Sequence, residues 1–216
     1  MTDPAGQRGP LHIGEPDDRV LKTVLGVTRS VRLPIYAPSD DSLLMIEAIA
    51  ASQPLRGKKV LDVGTGSGVL GLYCAMQGAR VTASDIDELA VTEAGRNAEK
   101  LRAQLELLVS DLFSNVPGRF DLVLFNPPYL PSEHIEDRSV DGGPKGTLIV
   151  DRFLDDLGAH LEKNGCALLL LSSLNDPAFV KLRHDVFEFS TVARRPLFFE
   201  ALEVLRIRLR DDLTVK

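Results

Sequence analysis

From Lys59 onward, short apolar segments alternate with longer amphipathic ones. Short apolar runs bounded by turn residues are typical of buried strands, and a 3.6-residue apolar period is typical of helices. The predicted strands are Lys59–Val63, Arg80–Ser84, Leu105–Val109, Phe120–Phe125, Cys166–Leu171, 189–195 and 202–210; the predicted helices are Leu43–Ala51, Val69–Gln77, Glu88–Leu101, Leu148–Leu161 and Pro177–Val186. Alternation of this kind predicts an α/β fold, a mostly parallel seven-stranded sheet with helices on both faces. The last two strands have no helix between them, so they should pair as an antiparallel hairpin.

The length of the chain, 216 residues, suits one domain, which we expect to span residues 33–216. Residues 1–16 are polar and rich in Gly and Pro, and Val20–Val27 fits either a short helix or a strand. We therefore expect residues 1–32 to form a partly disordered extension.

Composition narrows the class of protein. The formal net charge is −6, which argues against a broad surface for nucleic acid. No apolar run is long enough to span a membrane and no secretory signal is visible, so we expect a cytoplasmic protein. Cys74 and Cys166 lie in apolar segments and should be reduced core residues. The four histidines are scattered, and no metal site is predicted.

A rigid corner follows the predicted strand Phe120–Phe125, in the order Asn126-Pro127-Pro128-Tyr129. Proline ends the strand and holds Asn126 away from helical angles, at the strand end where open α/β sheets place ligands. The Asn126 side-chain oxygen and the Pro127 carbonyl are then convergent acceptors that could hold both hydrogens of a planar NH2 group, with Tyr129 beside them. The competing interpretation is a proline turn with a solvated Asn.

A glycine-rich turn, Gly64-Thr65-Gly66-Ser67-Gly68, follows Asp62 and the first predicted strand of the sheet. Glycines allow the backbone to bend sharply and to approach a ligand closely at a helix N-terminus. Gly66, Gly68 and Gly71 also satisfy the spacing of a dinucleotide-binding turn, which leaves an oxidoreductase open.

Acidic residues end the next two predicted strands. Asp85 lies 21 positions after Gly64, where a carboxylate can accept from both ribose hydroxyls of a nucleotide-like ligand, although it could instead cap the following helix. Asp111 follows the third strand and could accept from an adenine amino group, or it could be a turn residue. Because these signals occur at four successive strand ends, they favour a binding site over isolated turns.

Taken together, these motifs resemble those of class I S-adenosylmethionine-dependent methyltransferases, whose Rossmann-like fold matches the predicted sheet. More narrowly, the chain resembles the HemK-type glutamine methyltransferases of translation release factors, in their short archaeal and eukaryotic branch. The features that carry the narrower likeness are Tyr36–Ser42, Asp111-Leu112-Phe113, Asn126–Tyr129, Gly142–Gly146 and Asp151-Arg152-Phe153. The likeness covers roughly residues 33–210. Only about 35 residues precede Tyr36, which we expect to be too few for the N-terminal substrate domain of the bacterial form.

The resemblance implies a role for each matching residue. Those implied to bind S-adenosyl-L-methionine are Ser42, Asp62, Gly64, Gly66, Gly68, Asp85, Asp111, Leu112 and Asn126. Asn126, with Pro127 and Tyr129, would also bind the substrate amide and perform the catalytic step. Asp40 departs from the family, since a longer acid is usual there.

The implied substrate is the glutamine side-chain amide of a release factor. Two alternatives stay open: methylation of an adenine amino group in RNA or DNA, and methylation of a protein lysine. Arg206, Arg208 and Arg210 would share one face of the last strand and are the best candidate for a basic surface. The resemblance also implies a small zinc-binding activator subunit that pairs along the edge of the sheet, and Ser132–Gly146 is predicted as a substrate lid.

Overall fold

The centre of the structure is a single seven-stranded sheet. The computed structural model describes residues 15–29, 35, 37–128, 148–175, 178, 180–181 and 184–210. The strands are β1 (Lys59–Val63), β2 (Arg80–Asp85), β3 (Leu105–Val109), β4 (Phe120–Phe125), β5 (Leu161–Ser172), β6 (Phe187–Pro196) and β7 (Ala201–Leu209). They lie in the order β3-β2-β1-β4-β5-β7-β6. Strand β7 runs in the opposite direction to the other six and pairs antiparallel with both β5 and β6. The predicted α/β sheet and its C-terminal hairpin are therefore confirmed.

The helices that flank the sheet are α1 (Asp18–Thr28), α2 (Asp40–Ser52), α3 (Val69–Met76), α4 (Glu88–Leu101) and α5 (Leu148–His160). The first four pack one side of the sheet, in a cluster that includes Val24, Leu44, Leu72 and Leu168. Helix α5 packs the other side, where Phe153 and Leu157 meet Leu169. None of the helices in the described part of the chain is long and apolar enough to cross a membrane.

Strand alternation explains these two cores. Leu168 and Leu170 face the α1–α4 side and Leu169 and Leu171 face α5, and all four are completely buried. Burying a side chain of this size stabilises the fold by about 1.5–3 kcal/mol. A strand that is apolar on both faces belongs at the centre of a covered sheet, which is where β5 lies. Cys74 and Cys166 are buried and unpaired, as predicted.

Strand β5 begins earlier than predicted. The helix was expected to run to Leu161 and the strand to begin at Cys166, but the helix ends at His160 and the strand begins at Leu161. Its register against β4 shifts between the pairs Phe120–Leu161 and Leu122–Cys166. Residues 162–165 form this irregularity. Their sequence, Glu-Lys-Asn-Gly, is polar and therefore does not predict a strand.

The ambiguous segment Val20–Val27 is helical because Asp17 caps it. Its carboxylate accepts the backbone N–H groups of Arg19 and Val20 at 3.0 and 3.1 Å. Of the predicted helix Pro177–Val186, the described residues 178, 180 and 181 are helical, and the helix ends before His184. Tyr36, Tyr129, the predicted lid Ser132–Gly146 and most of residues 1–32 apart from α1 lie outside the described residues.

Candidate active site

The sheet reverses its direction of winding between β1 and β4, and the candidate site lies at this point. Val63 and Phe125, the last residues of the two strands, are paired. Gly64 and Asn126 follow them, so the glycine-rich turn and the Asn-Pro-Pro corner leave the sheet side by side. In open α/β sheets, ligands bind in the crevice outside such a switch point. The fold thus brings together two motifs that are 62 positions apart in the sequence.

The Asn126 amide is held in one orientation. Its Nδ2 donates a hydrogen bond of 3.1 Å to Asp41 Oδ2. The reversed amide would place its oxygen against the carboxylate, where neither group has a hydrogen to share. Asn126 Oδ1 is buried and has no hydrogen-bond partner among the described residues. An unpaired buried acceptor costs about 1–3 kcal/mol, so this oxygen is a strong candidate for binding an N–H donor from a ligand.

Asp41 is a site residue that the sequence did not reveal. It lies in the first turn of α2, only 3% exposed, and its other carboxylate oxygen lies 3.2 Å from the Ser42 hydroxyl. Acidic residues are common in the first turn of a helix because they suit its dipole, so nothing in the local sequence signals this contact. Ser42, predicted to reach a cofactor, is buried beside it. The α2 N-terminus therefore forms the wall of the site next to Asn126.

The glycine-rich turn depends on left-handed backbone angles. Gly64, Gly66 and Gly68 have φ values of 64°, 54° and 84°, which residues with a Cβ rarely adopt. Gly68 also lies against α4, because a Cβ there would be 3.1 Å from the Ala94 Cβ. The turn is held to β2 by a hydrogen bond of 2.9 Å from Thr65 N to Ser84 O. The turn therefore has the shape that a closely bound ligand requires.

Asp62 supports this turn from inside the protein. Its Oδ2 accepts from the Thr65 hydroxyl at 2.7 Å and from Gly71 N at 2.9 Å. Burial raises its pKa to about 6, the two hydrogen bonds oppose that rise, and the nearby charge of Asp85 adds to it. Gly71 is the third glycine of the dinucleotide-like spacing. A Cβ at this position would lie 3.1 Å from Asp62 Oδ2, so the glycine leaves room for the Asp62 carboxylate.

The raised pKa of Asp62 makes the free energy of unfolding depend on pH. The folded state holds this proton more tightly than the unfolded chain, whose pKa is near 3.8. The resulting stabilisation is fully present below pH 3.8 and is lost as the pH rises through about 6. The loss amounts to about 3 kcal/mol. At neutral pH Asp62 is therefore a buried, ionised carboxylate, and a cationic ligand bound beside it would offset the cost of burying its charge.

Asp85 ends β2 beside the glycine-rich turn. Its Oδ2 accepts from Gly66 N at 2.9 Å and its Oδ1 from Asp87 N at 3.0 Å. Burial raises the pKa of Asp85, against these hydrogen bonds. The residue that caps α4 is Asp87, which accepts from Leu89 N at 2.9 Å. The helix-cap alternative therefore applies to Asp87, and the Asp85 carboxylate retains lone pairs for a ligand.

Asp111 and Leu112 form a tight turn after β3. Leu112 has a φ of 48°, an uncommon angle for a residue with a side chain, and is buried. Ser110 holds the turn by donating to Leu112 O at 2.9 Å. Backbone strain of this kind persists where the surroundings impose it, often at ligand sites. Asp111 Oδ2 is already occupied by Arg152 Nη2 at 2.8 Å, a contact that the sequence did not suggest.

A family model described as the methyltransferase small domain matches residues 39–199. The chain belongs to this family. It is 35% identical over 189 residues to the putative protein N5-glutamine methyltransferase of Methanocaldococcus jannaschii, across 83% of this chain and 94% of that one. It is 31% identical to the methyltransferase HEMK2 of Mus musculus, across 80% and 88% respectively. Within the family the chain is therefore of the HemK type, and it matches short archaeal and eukaryotic members along most of their length.

Two solved structures of similar fold are instructive. The Mtq2 chain of an E. cuniculi Mtq2-Trm112 complex, responsible for methylation of the eRF1 termination factor, has 25% identity and a TM-score of 0.64, covering 82% of this chain and 99% of that one. The Thermus thermophilus 16S rRNA N2 G1207 methyltransferase, in complex with AdoMet and guanosine, has 23% identity and a TM-score of 0.63, covering 82% and 45%. The second likeness shows the fold alone.

Aromatic packing supports the Asn-Pro-Pro corner of this methyltransferase. Phe125, just before Asn126, stacks on Phe153 of α5 at a centroid distance of 4.6 Å, and Phe113 stacks on Phe153 at 5.3 Å. Pro127 is buried. These stacked rings hold the end of β4, which Asn126 directly follows. Tyr129, the last residue of the predicted corner, lies outside the described residues.

Proposed function

We propose that this chain is a cytoplasmic S-adenosylmethionine-dependent methyltransferase whose acceptor is the glutamine side-chain amide of a translation release factor. The observation that carries the proposal is the unpartnered Asn126 Oδ1, a buried acceptor whose orientation Asp41 enforces. It can accept one hydrogen of a planar NH2 group. Relatives named as glutamine methyltransferases support the choice of amide.

The residues around the glycine-rich turn fit the proposed cofactor. Burial raises the pKa of both Asp62 and Asp85, and the charge of Asp85 raises the pKa of Asp62 further. A pocket that contains two such carboxyls suits a cationic ligand. Asp62, Gly64, Gly66 and Gly68 would hold the methionine end, and Asp85 the ribose hydroxyls. The Asp111–Leu112 turn, with Ser42 from α2, would complete the site. The cofactor supplies a methyl group already activated by its sulfonium.

In the proposed mechanism the protein aligns the acceptor nitrogen with that methyl group. The amide lone pair forms the new N–C bond, the methyl–sulfur bond breaks with its electrons going to sulfur, and the amide then loses a proton. An amide nitrogen is a weak nucleophile because its lone pair is delocalised. Asn126 Oδ1 and the Pro127 carbonyl, as acceptors for its hydrogens, would stabilise the positive charge that grows on nitrogen, and alignment lowers the barrier further.

The net charge of −6 and the relatives named as glutamine methyltransferases support a protein substrate over nucleic acid. The arginines of β7 do not decide this choice. Arg206 pairs with Leu168, the neighbour of the Leu169 that pairs with Phe125, so it lies close to the level of the site, and Arg208 lies two residues further away. The digestion experiment described below decides between the two substrates.

We also propose that the small activator subunit pairs with β3. This edge strand has only partly buried leucines, Leu105, Leu107 and Leu108, and ends in Val109, which is 47% exposed. A groove of about 900 Å³ runs beside it. The other edge strand, β6, carries a register shift between Thr191 and Ala193, and such irregularities discourage pairing. An unprotected apolar edge is a suitable surface for strand addition.

The substrate class is tested by methyl transfer from labelled S-adenosylmethionine to a lysate, with and without the activator subunit. Half of each reaction is digested with protease and half with ribonuclease. Label that survives ribonuclease and lies on a glutamine of a release-factor-sized protein, located by peptide mass spectrometry, supports the proposal. Label lost to ribonuclease would instead identify an RNA methyltransferase and overturn the choice of substrate.

The affinity for S-adenosylmethionine is expected to weaken as the pH falls below about 6, the pKa of Asp62. The cation favours the ionised carboxyl, so below that pH a proton must be displaced, at a cost of up to about tenfold in Kd per pH unit. Isothermal titration between pH 5 and 8 measures this dependence. Asp62→Asn, which cannot titrate, should flatten the curve. A wild-type affinity that is constant over this range would exclude Asp62 as the linked group.

Asp41→Leu is expected to lower kcat by about 10–100-fold with little change in KM for the cofactor, because the Asn126 amide loses its anchor and can rotate. Asp41→Asn keeps an oxygen that can accept from Asn126 Nδ2, so it should retain most of the activity. Steady-state kinetics and thermal unfolding of both variants separate positioning from stability. Equal activity of the two variants, each folded, would show that the Asp41–Asn126 contact does not orient the amide.

A further inference from the structure

The turn between β6 and β7 exposes two neighbouring aromatic rings. Phe198 and Phe199 are 93% and 89% exposed and stack edge to face at a centroid distance of 4.7 Å. Single exposed apolar side chains are normal on a protein surface, but two adjacent phenylalanines that are almost fully exposed form a patch of the kind that binds other molecules.

This turn lies on the same edge of the sheet as Asn126. Phe125 pairs with Leu169, three residues before the end of β5, and Ser172 at that end pairs with Leu202 of β7. The turn projects beyond Leu202. Asn126 follows Phe125 and is level with Leu170, which pairs with Val204. Two to three strand spacings of about 4.8 Å separate the rings from β4 sideways, and about 10–15 Å separate them from the level of Val204 along the strands, so the rings lie roughly 14–20 Å from the β4 corner.

Hydrogen bonds hold the turn in place. The Ser172 hydroxyl donates to Glu200, Ala201 N donates to the Ser173 hydroxyl at 3.0 Å, and Leu197 N donates to Glu200 O at 2.8 Å. The rings are therefore displayed by a fixed backbone. A surface that is preorganised in this way loses little conformational entropy on binding.

The charges around the turn indicate what kind of molecule covers the rings. Arg194 pairs with Glu203 at 3.3 Å, and Arg195 pairs with Glu47 at 2.6 Å and with Asp40 at 3.4 Å. The cations next to the rings in sequence are thus neutralised by carboxylates. A neutral to acidic surface repels a phosphate backbone, whereas it accepts an apolar stretch of polypeptide.

We propose that Phe198 and Phe199 dock an apolar side chain of the protein substrate, beside the segment that enters the active site. An extended chain advances about 3.3 Å per residue, so the docked side chain lies roughly four to six positions from the methylated residue. This inference rests on the proposed function, since it requires a polypeptide acceptor. It gives the enzyme a means of choosing one protein among the many that contain glutamine.

The test compares wild type with the double variant F198S/F199S, using the purified release factor from the same genome and the activator subunit. The KM for the release factor should rise by at least about tenfold, as expected when aromatic anchors are removed, with kcat and the Kd for S-adenosylmethionine within about twofold. Val186→Ser is the matched control, because Val186 is 43% exposed, just before β6 and at the opposite edge of the sheet. It should leave the KM unchanged.

The outcomes separate this inference from the proposed function. If wild type transfers no methyl group to the release factor, the proposed function fails before the variant is measured. If wild type is active and F198S/F199S has the same KM, or if V186S raises the KM equally, the docking surface is wrong. If the double variant changes only the sedimentation of the enzyme, with KM unaltered, the rings join two copies of this chain and the inference is overturned.

Discussion

Replacing Asn126 by alanine is expected to reduce kcat by about 10²–10³-fold, the typical effect of removing one preorganised group that stabilises transition-state charge. The affinity for S-adenosylmethionine should change by less than about threefold, because the proposed cofactor contacts are made by the carboxylates and the glycine-rich turn, independently of this amide. The unpartnered Oδ1 is the reason for this split: it contributes nothing until an N–H donor arrives. Single-turnover kinetics and equilibrium titration of the cofactor measure the two quantities separately.

The control for this substitution is Asn164→Ala, at an exposed position in the irregular segment of β5, which should behave as wild type. Thermal unfolding of N126A is also needed, because the substitution removes the hydrogen bond that Asp41 accepts. Full turnover in a folded N126A protein would be incompatible with the proposed mechanism. A loss of cofactor affinity as large as the loss of kcat would instead assign Asn126 mainly to the cofactor.

Replacing Asp85 by alanine should have its largest effect on the cofactor, raising the Kd for S-adenosylmethionine by about 10–100-fold. Hydrogen bonds to a charged group contribute about 1.5–3 kcal/mol, and Asp85 is proposed to accept from the ribose hydroxyls. At saturating cofactor the variant should recover much of its kcat. Calorimetric or fluorescence titration of the cofactor gives the affinity directly.

Asp87→Ala is a matched control for D85A, since Asp87 lies two positions away and serves as the N-cap of α4. Losing this cap should lower the free energy of unfolding by about 1 kcal/mol without changing the cofactor Kd. If D85A and D87A had the same small effect on affinity, Asp85 would be a structural residue that positions Gly66 and Asp87, and its assignment to the ribose would be wrong.

The strands could be predicted from the sequence, whereas the different roles of Asp85 and Asp87 could not. Lys59–Val63, Leu105–Val109 and Phe120–Phe125 were predicted with their observed bounds, because short apolar runs followed by turn residues are typical of strands. Strand ends then predicted which residues gather at the edge of the sheet. Which of two nearby acids caps a helix depends on backbone geometry, which composition and spacing do not encode.

Contacts between distant elements were the part that could not be predicted. Asp41 and Asn126 are 85 positions apart, and Asp111 and Arg152 are 41 apart. No local pattern signals either pair, since both depend on how α2 and α5 pack against the sheet. The irregular start of β5 also depends on a contact between distant residues. Gly165 lies so close to the Phe120 carbonyl that a Cβ at this position would be 2.6 Å from the carbonyl oxygen. The sequence around Gly165 does not signal this contact.

The ion pairs of Arg195 have a consequence for how this protein can evolve. Arg195 joins the hairpin to Asp40 and Glu47 of α2, the helix whose Asp41 orients the Asn126 amide. Residues in one ion-pair network do not contribute independently, so a change at one position alters the effect of a change at another. Positions 40, 47 and 195 should therefore covary across lineages, and a lineage that loses Arg195 should carry compensating replacements in α2. Selection on the Asn126 corner would thereby constrain changes in the hairpin, which is remote from that corner in sequence.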